Sequence, residues 1–268
     1  MNDVLAGIVE ATREDLRGEW VDWKAVTRAA RSRSGTKARY SFRSAISVKG
    51  GSPRVIAEIK AASPSAGVIV ENPDVSAIAT AYRDGGAAAI SVVTEPHFFS
   101  GSREWLYRAG KASGLPVIMK DFIVEPVQIF RGIAAGADAV LLLASILDTN
   151  KLQEFLAIVD ELGRDAVVEV HDEQELSSAV AAGARIIGVN NRDLRDFSVA
   201  LETSEKLAPL IPADRVKVSE SGIRSRADVA RLARAGFDAF LVGEPLLRSE
   251  NRESAVRDLI HKDHKDEG

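Results

Sequence analysis

Residues 134–144 read AAGADAVLLLA, which is a helix end, a glycine turn and a six-residue apolar run. The glycine suits the left-handed turn that closes a helix, and the small residues beside it let the chain fold back tightly. AVLLLA is apolar at every position, as a strand of a parallel sheet is when both of its faces are covered. Related signatures stand at GGAAA (85–89), AGARI (182–186) and AGFDA (235–239). Their glycines, Gly86, Gly136, Gly183 and Gly236, lie 50, 47 and 53 residues apart. That interval is twice the length of a strand, a helix and two short loops.

Working outward, eight β-rich runs fill the chain. They are VIAEIK (55–60), AISVVT (89–94), VIMK (117–120), AVLLLA (139–144), AVVEV (166–170), IIGVN (186–190), VKVSE (216–220) and AFLVG (239–243). Their starts recur every 26 residues or so. Helical patterns lie between them, among them 75–84, 150–162, 172–182 and 226–235. Eight such units predict an α/β fold, a (β/α)8 barrel, in place of an open dinucleotide-binding sheet, and no GxGxxG follows the first strand. Residues 1–54 precede the first run and read as an N-terminal helical extension, with an irregular tail SRSGTKARYSF (32–42). One domain over 1–268 is therefore expected, extension included.

Composition narrows the class. With 46% hydrophobic and 28% charged residues the chain is neither disordered nor a disulfide scaffold, and with no Cys it has no thiol chemistry. MNDVLAGIVEATRED is acidic and lacks an apolar core, so no signal peptide is expected. The longest apolar run, 139–144, is far below the ~20 residues of a membrane helix. A cytoplasmic protein without membrane or nucleic-acid partners is the expectation. The net charge of −4 hides an uneven split, because residues 1–54 hold 11 basic and 6 acidic side chains. The basic stretch reads as a solvated helical face followed by a loop. Trp20 and Trp23 read as packing anchors of the extension.

Barrel enzymes carry their chemistry at the C-terminal strand ends. Charged residues interrupt the apolar runs there: Glu58 and Lys60 on the first, Lys120 on the third, Glu169 between valines on the fifth. Asn190 ends the sixth, and Ser219-Glu220-Ser221 ends the seventh. By strand alternation Ile59 and the valines flanking Glu169 face the helices, which turns the charges toward the barrel axis. Buried there, two Lys and two Glu must satisfy one another. Gly222 and Gly243-Glu244 follow strands seven and eight, where barrels commonly bind phosphate through backbone N–H groups. Lys60 and Ser63 add a cation and a hydroxyl. His97 and His171 follow strands two and five without the spacing of a metal site.

IAEIKAASPSAG (56–67), SVVTEPHFFSGS (91–102), VIMKDFIVEP (117–126), VEVHDEQE (168–175), IGVNNRDL (187–194), VSESGI (218–223) and FLVGEPLLR (240–248) together resemble the indole-3-glycerol-phosphate synthase family. The resemblance spans residues 55–248, nearly the whole barrel. It implies cofactor-free conversion of 1-(2-carboxyphenylamino)-1-deoxyribulose 5-phosphate into indole-3-glycerol phosphate, CO2 and water, in tryptophan biosynthesis. It implies catalytic roles for Glu58, Lys60, Lys120, Glu169, Asn190 and Ser221. Phosphate contacts fall on Lys60, Ser63, Gly222, Gly243 and Glu244, and Arg192 lies in the NxRDL motif. The apolar walls for the anthranilate ring fall on Phe99, Phe122 and Leu141. The sole expected partner is a phosphorylated small molecule, with the chain a monomer or weak homodimer. In this family the extension lies over the barrel mouth, where the basic stretch would attract an anionic substrate. Pro245 departs from the small residue usual in the family and removes one N–H beside the phosphate loops.

Two sister readings fit less well. Phosphoribosylanthranilate isomerase relies on a Cys base, absent here, and the tryptophan synthase α-chain lacks this Lys-rich set. A catalytically silent phosphate-binding barrel would not require the full Lys and Glu constellation.

Overall fold

The computed structural model describes residues 4–18, 20–34, 41–48, 52–193 and 197–261. Most of the tail expected to be irregular (35–40) and Leu194 of the NNRDL motif lie outside the described residues.

Eight parallel strands close into a barrel in chain order: β1 (Arg54–Ile59), β2 (Ala89–Val93), β3 (Val117–Lys120), β4 (Ala139–Leu143), β5 (Asp165–Val170), β6 (Ile186–Asn190), β7 (Val216–Glu220) and β8 (Ala239–Val242). β1 completes the ring by pairing with β2 through Ile56↔Ala89 and with β8 through Arg54↔Ala239. All eight runs expected from the sequence are strands. Gly86, Gly136, Gly183 and Gly236 all have positive φ, which is what lets each of the four repeats turn from helix to strand.

Alternation assigns the faces. Val55, Ala57, Ile59, Val168 and Val170 join the outer core beneath the helices. Ile56, Ile118, Val167 and Val218 meet inside the barrel. Two residues further along those four strands come Glu58, Lys120, Glu169 and Glu220, so the same periodicity that buries the inner apolar layer sends four charges to the axis. Closure leaves no sheet edge, and every strand holds its neighbours in fixed register.

The extension forms three helices, α1 (Val4–Arg17), α2 (Trp23–Ser34) and α3 (Phe42–Ile46). The last residue of the expected irregular tail, Phe42, thus starts a helix. α3 plugs the barrel floor: Phe42 and Ile46 are fully buried against the inner layer. The Asp165 carboxylate, at the N-terminal end of β5, accepts from Ser41 Oγ and Arg43 N. α2 packs on the helix Pro126–Ala135. Arg33 of α2 donates to the Gly136 carbonyl and to Asp138, both just before β4. In the basic stretch, Arg31 and Arg33 are paired with Glu161 and Asp138, and Arg33 sits at the floor end. One expectation is corrected here. Trp20 is 85% exposed and anchors nothing, while Trp23 sets its ring edge-on to Phe130 at 6.3 Å.

Candidate active site

The C-terminal mouth of the barrel opens into a cavity of about 360 Å³. All fourteen residues expected at the site line it: Glu58, Lys60, Ser63, Phe99, Lys120, Phe122, Leu141, Glu169, Asn190, Arg192, Ser221, Gly222, Gly243 and Glu244. Val4, Leu5 and Ile8 of α1 also line it, so of the extension it is α1 that covers the mouth. Asp15 of α1 meets His97, in the loop after β2, at 2.8 Å and ties this cover to the barrel.

At the centre, the Lys120 ammonium donates to Glu169 Oε2 at 3.0 Å and to Glu220 Oε2 at 2.8 Å. Lys60 Nζ donates to Glu58 Oε1 at 2.6 Å. Asn190 Nδ2 donates to the other Glu169 oxygen at 3.0 Å, and Asn190 Oδ1 accepts from Arg192 N. Glu58, Glu169 and Glu220 are only 1–2% exposed. Desolvating each charge costs several kcal/mol, so the arrangement survives because every carboxylate faces a cation.

The proton affinities follow from burial against these pairings. Burial raises that of Glu58, but the Lys60 and Lys120 charges outweigh it and hold Glu58 below the usual carboxylate range. Burial likewise opposes ionisation of Glu169, yet Lys120, His171 and the Asn190 amide keep it well below that range. Glu220 goes the other way: burial and the Glu169 charge together outweigh Lys120 and push it up. For Lys120, burial favours the neutral amine, and Glu169, Glu220 and Glu58 overcome it, so the ammonium is firmly held. Carboxylates displaced in opposite directions around one cation are the usual mark of acid–base machinery.

The walls and the phosphate end are built by loops. Phe99 and Phe122 pack with ring centroids 6.0 Å apart and planes tilted by 36°. Buried Glu95 holds Phe99 in place by accepting from the N–H groups of His97, Phe98 and Phe99. After β7, Ser221 has φ 66° and Gly222 φ 80°. The left-handed serine is strained by about 1–3 kcal/mol, a cost characteristic of functional loops. At Gly243 an added Cβ would come within 2.5 Å of Glu58 Oε1 and 3.2 Å of Lys60 Nζ, so only glycine fits beside that ion pair. Gly243 caps the short helix Glu244–Arg248, with Pro245 in its first turn, where an N–H has no helical partner to lose. The Glu244 carboxylate is engaged by Arg248 at 2.9 Å.

Three things were absent from the expected set. Glu220 satisfies the alternation rule as well as Glu58 does, since it stands two residues after inward Val218; that signal was in the sequence. Arg224 and Arg248, which line the cavity, carry no strand parity to mark them. The α1 side chains depend on where the extension docks. Among the described residues no cluster of His, Asp and Glu is arranged to hold a metal ion.

The family model for indole-3-glycerol phosphate synthase matches residues 6–259. The indole-3-glycerol phosphate synthase of Sulfurimonas denitrificans is 43% identical over 260 residues, covering 96% of this chain and 98% of that protein. That of Chlorobium phaeovibrioides is 49% identical over 205 residues, covering 76% and 80%. Among solved structures, thiamine phosphate pyrophosphorylase from Pyrococcus furiosus superposes with a TM-score of 0.58 at 17% identity, covering 77% of this chain and 93% of that one, a likeness of fold alone. With a family match across nearly its whole length, this chain belongs to the indole-3-glycerol phosphate synthase family.

Proposed function

We propose that the chain converts 1-(2-carboxyphenylamino)-1-deoxyribulose 5-phosphate into indole-3-glycerol phosphate, with release of CO2 and water, and that the residues around Lys120 carry the proton transfers. The observation that carries this reading is the Lys120 ammonium, facing the cavity while clasped by Glu169 and Glu220.

The ring carbon bearing the carboxylate must attack a ketone whose oxygen gains negative charge. Lys120 donates a proton to that oxygen, and its two carboxylates favour the cation that begins the step. Carbon–carbon bond formation breaks the aromaticity of the ring. Loss of CO2 returns the electron pair to it. Phe99, Phe122 and Leu141 surround the leaving carboxylate with apolar surface, which favours neutral CO2 over the anion.

The last stage expels the new hydroxyl as water and removes a proton from the neighbouring methylene. Lys60 protonates the hydroxyl, and Glu169, held ionised, takes the carbon-bound proton. Asn190 fixes Glu169, and Ser221 orients a substrate hydroxyl. The phosphate rests on the N–H groups of Gly222, Gly243 and Glu244, with Ser63 and Lys60 beside them and Arg192 at the cavity wall. Glu58 anchors the Lys60 side chain at 2.6 Å. Tertiary contacts of all three extension helices with the barrel support a single domain. The test is direct: the purified protein, given the synthetic substrate, should generate indole fluorescence with equimolar CO2. Correctly folded protein that binds the substrate and forms no indole would instead favour a silent barrel.

A further inference from the structure

His171 follows β5 and stands two residues after Glu169, the same spacing that separates Glu58 from Lys60. Its backbone N–H and its Nδ1 both meet Glu175 Oε2, at 2.8 and 3.0 Å. Glu175 lies in the first turn of the helix Glu173–Ala181. On the other side of the ring, Nε2 is buried, has no hydrogen-bond partner among the described residues, and faces Glu169 Oε1 at 3.5 Å. The His171 side chain is only 15% exposed and does not line the cavity, so it is not placed to touch substrate.

A neutral imidazole has one N–H and one lone pair. Either tautomer would aim a lone pair at a carboxylate, at Glu175 or at Glu169. Only the imidazolium presents N–H to both. We propose that His171 is a positioning residue of this site, held as an imidazolium between Glu175 and Glu169, where it keeps the Glu169 carboxylate ionised and oriented.

The proposal rests on Glu169 acting as the base. Its use lies in the order of events. When Lys120 passes its proton to the ketone oxygen, Glu169 loses its main countercharge before its own turn comes. His171 remains, facing the Glu169 oxygen that Lys120 does not bind. Among the described residues Glu169 on β5, Glu175 on the helix Glu173–Ala181 and Glu220 on β7 bear on the ring, with Lys120 on β3 across Glu169. Burial disfavours the imidazolium, but the Glu175 hydrogen bond and the three carboxylates outweigh it and raise its proton affinity.

Three measurements test this. A ¹⁵N NMR titration of the intact protein should find both His171 nitrogens protonated at neutral pH, with a midpoint above the ordinary 6.5 or so. Glu175→Gln keeps an acceptor for both N–H groups and removes the charge, so it should lower that midpoint by about one unit or more. In His171→Gln the acid limb of kcat should move up by about one unit or more, because Glu169 then binds protons more readily, with KM changed less than about twofold. A neutral, single-tautomer His171 at neutral pH overturns the proposal. So does a His171→Gln profile that overlays the parent while Glu169→Gln is inactive. Full activity in Glu169→Gln would instead remove the base assignment itself.

Discussion

Gly188 on β6 lies directly against the carboxylate of Glu220 on β7: a Cβ added at Gly188 would collide with Glu220 Oε1 and approach Val167 Cγ1 to 2.9 Å. The missing side chain on one strand is thus the space in which the neighbouring strand stores its acid. Gly188→Ala should displace Glu220 from Lys120 and cost about 1–3 kcal/mol from overpacking. Thermal melts and kcat should fall together. A variant with unchanged turnover would show that the Glu220 position is immaterial.

Glu220 binds its proton more tightly in the fold than in an unfolded chain, where its pKa is near 4.3 or so. A folded acid with raised proton affinity makes the protein lose stability as pH climbs from that unfolded value through the folded one. Glu220→Gln removes this dependence. The difference in unfolding free energy between variant and parent should therefore shift in favour of the variant as pH rises across that window. Denaturant melts at several pH values would measure it, and a pH-independent difference would contradict the assignment. Turnover in the variant should fall, because Lys120 loses one of its two anchors.

Lys60 serves both the phosphate and the final dehydration in this scheme. Lys60→Met should raise KM and lower kcat, each by about ten-fold or more. It also leaves Glu58 buried without its partner at 2.6 Å, so some loss of thermal stability should accompany it. A change confined to KM would restrict Lys60 to phosphate binding.

Phe99 and Phe122 are half-buried and meet across the cavity, so truncating one removes wall without hollowing the core. Phe99→Ala should lower kcat/KM by about 10–100-fold, the scale of losing one large apolar contact, with little change in melting temperature. Unaltered kinetics would show that the anthranilate ring binds elsewhere.

Strand alternation made much of this legible before any coordinates. Ile59, Val168 and Val170 face outward as their neighbours Glu58 and Glu169 turn in, and the four helix-ending glycines mark the repeat. Glu220 was readable by the same rule, but the resemblance pointed one residue on, to Ser221. Where side chains leave regular strands the rule has nothing to act on. The reach of Glu175 back to His171, the left-handed Ser221 and the pin from Glu95 to Phe99 all depend on loop geometry. The resemblance put the extension over the mouth, which holds for α1; that Phe42 and Ile46 of α3 close the floor has no local signal in a five-residue helix. The exposed Trp20 shows that a large apolar side chain need not mark a contact.

The central claim is that the Lys120 ammonium donates the proton that makes the ketone electrophilic. The most direct measurement is the kinetics of Lys120→Ala, followed by indole fluorescence, with substrate affinity determined separately by calorimetry. Turnover should fall by about 10²–10⁴-fold or more while the dissociation constant for substrate changes little, since the phosphate and ring contacts remain. Turnover within a few-fold of the parent, in a folded variant, would contradict it.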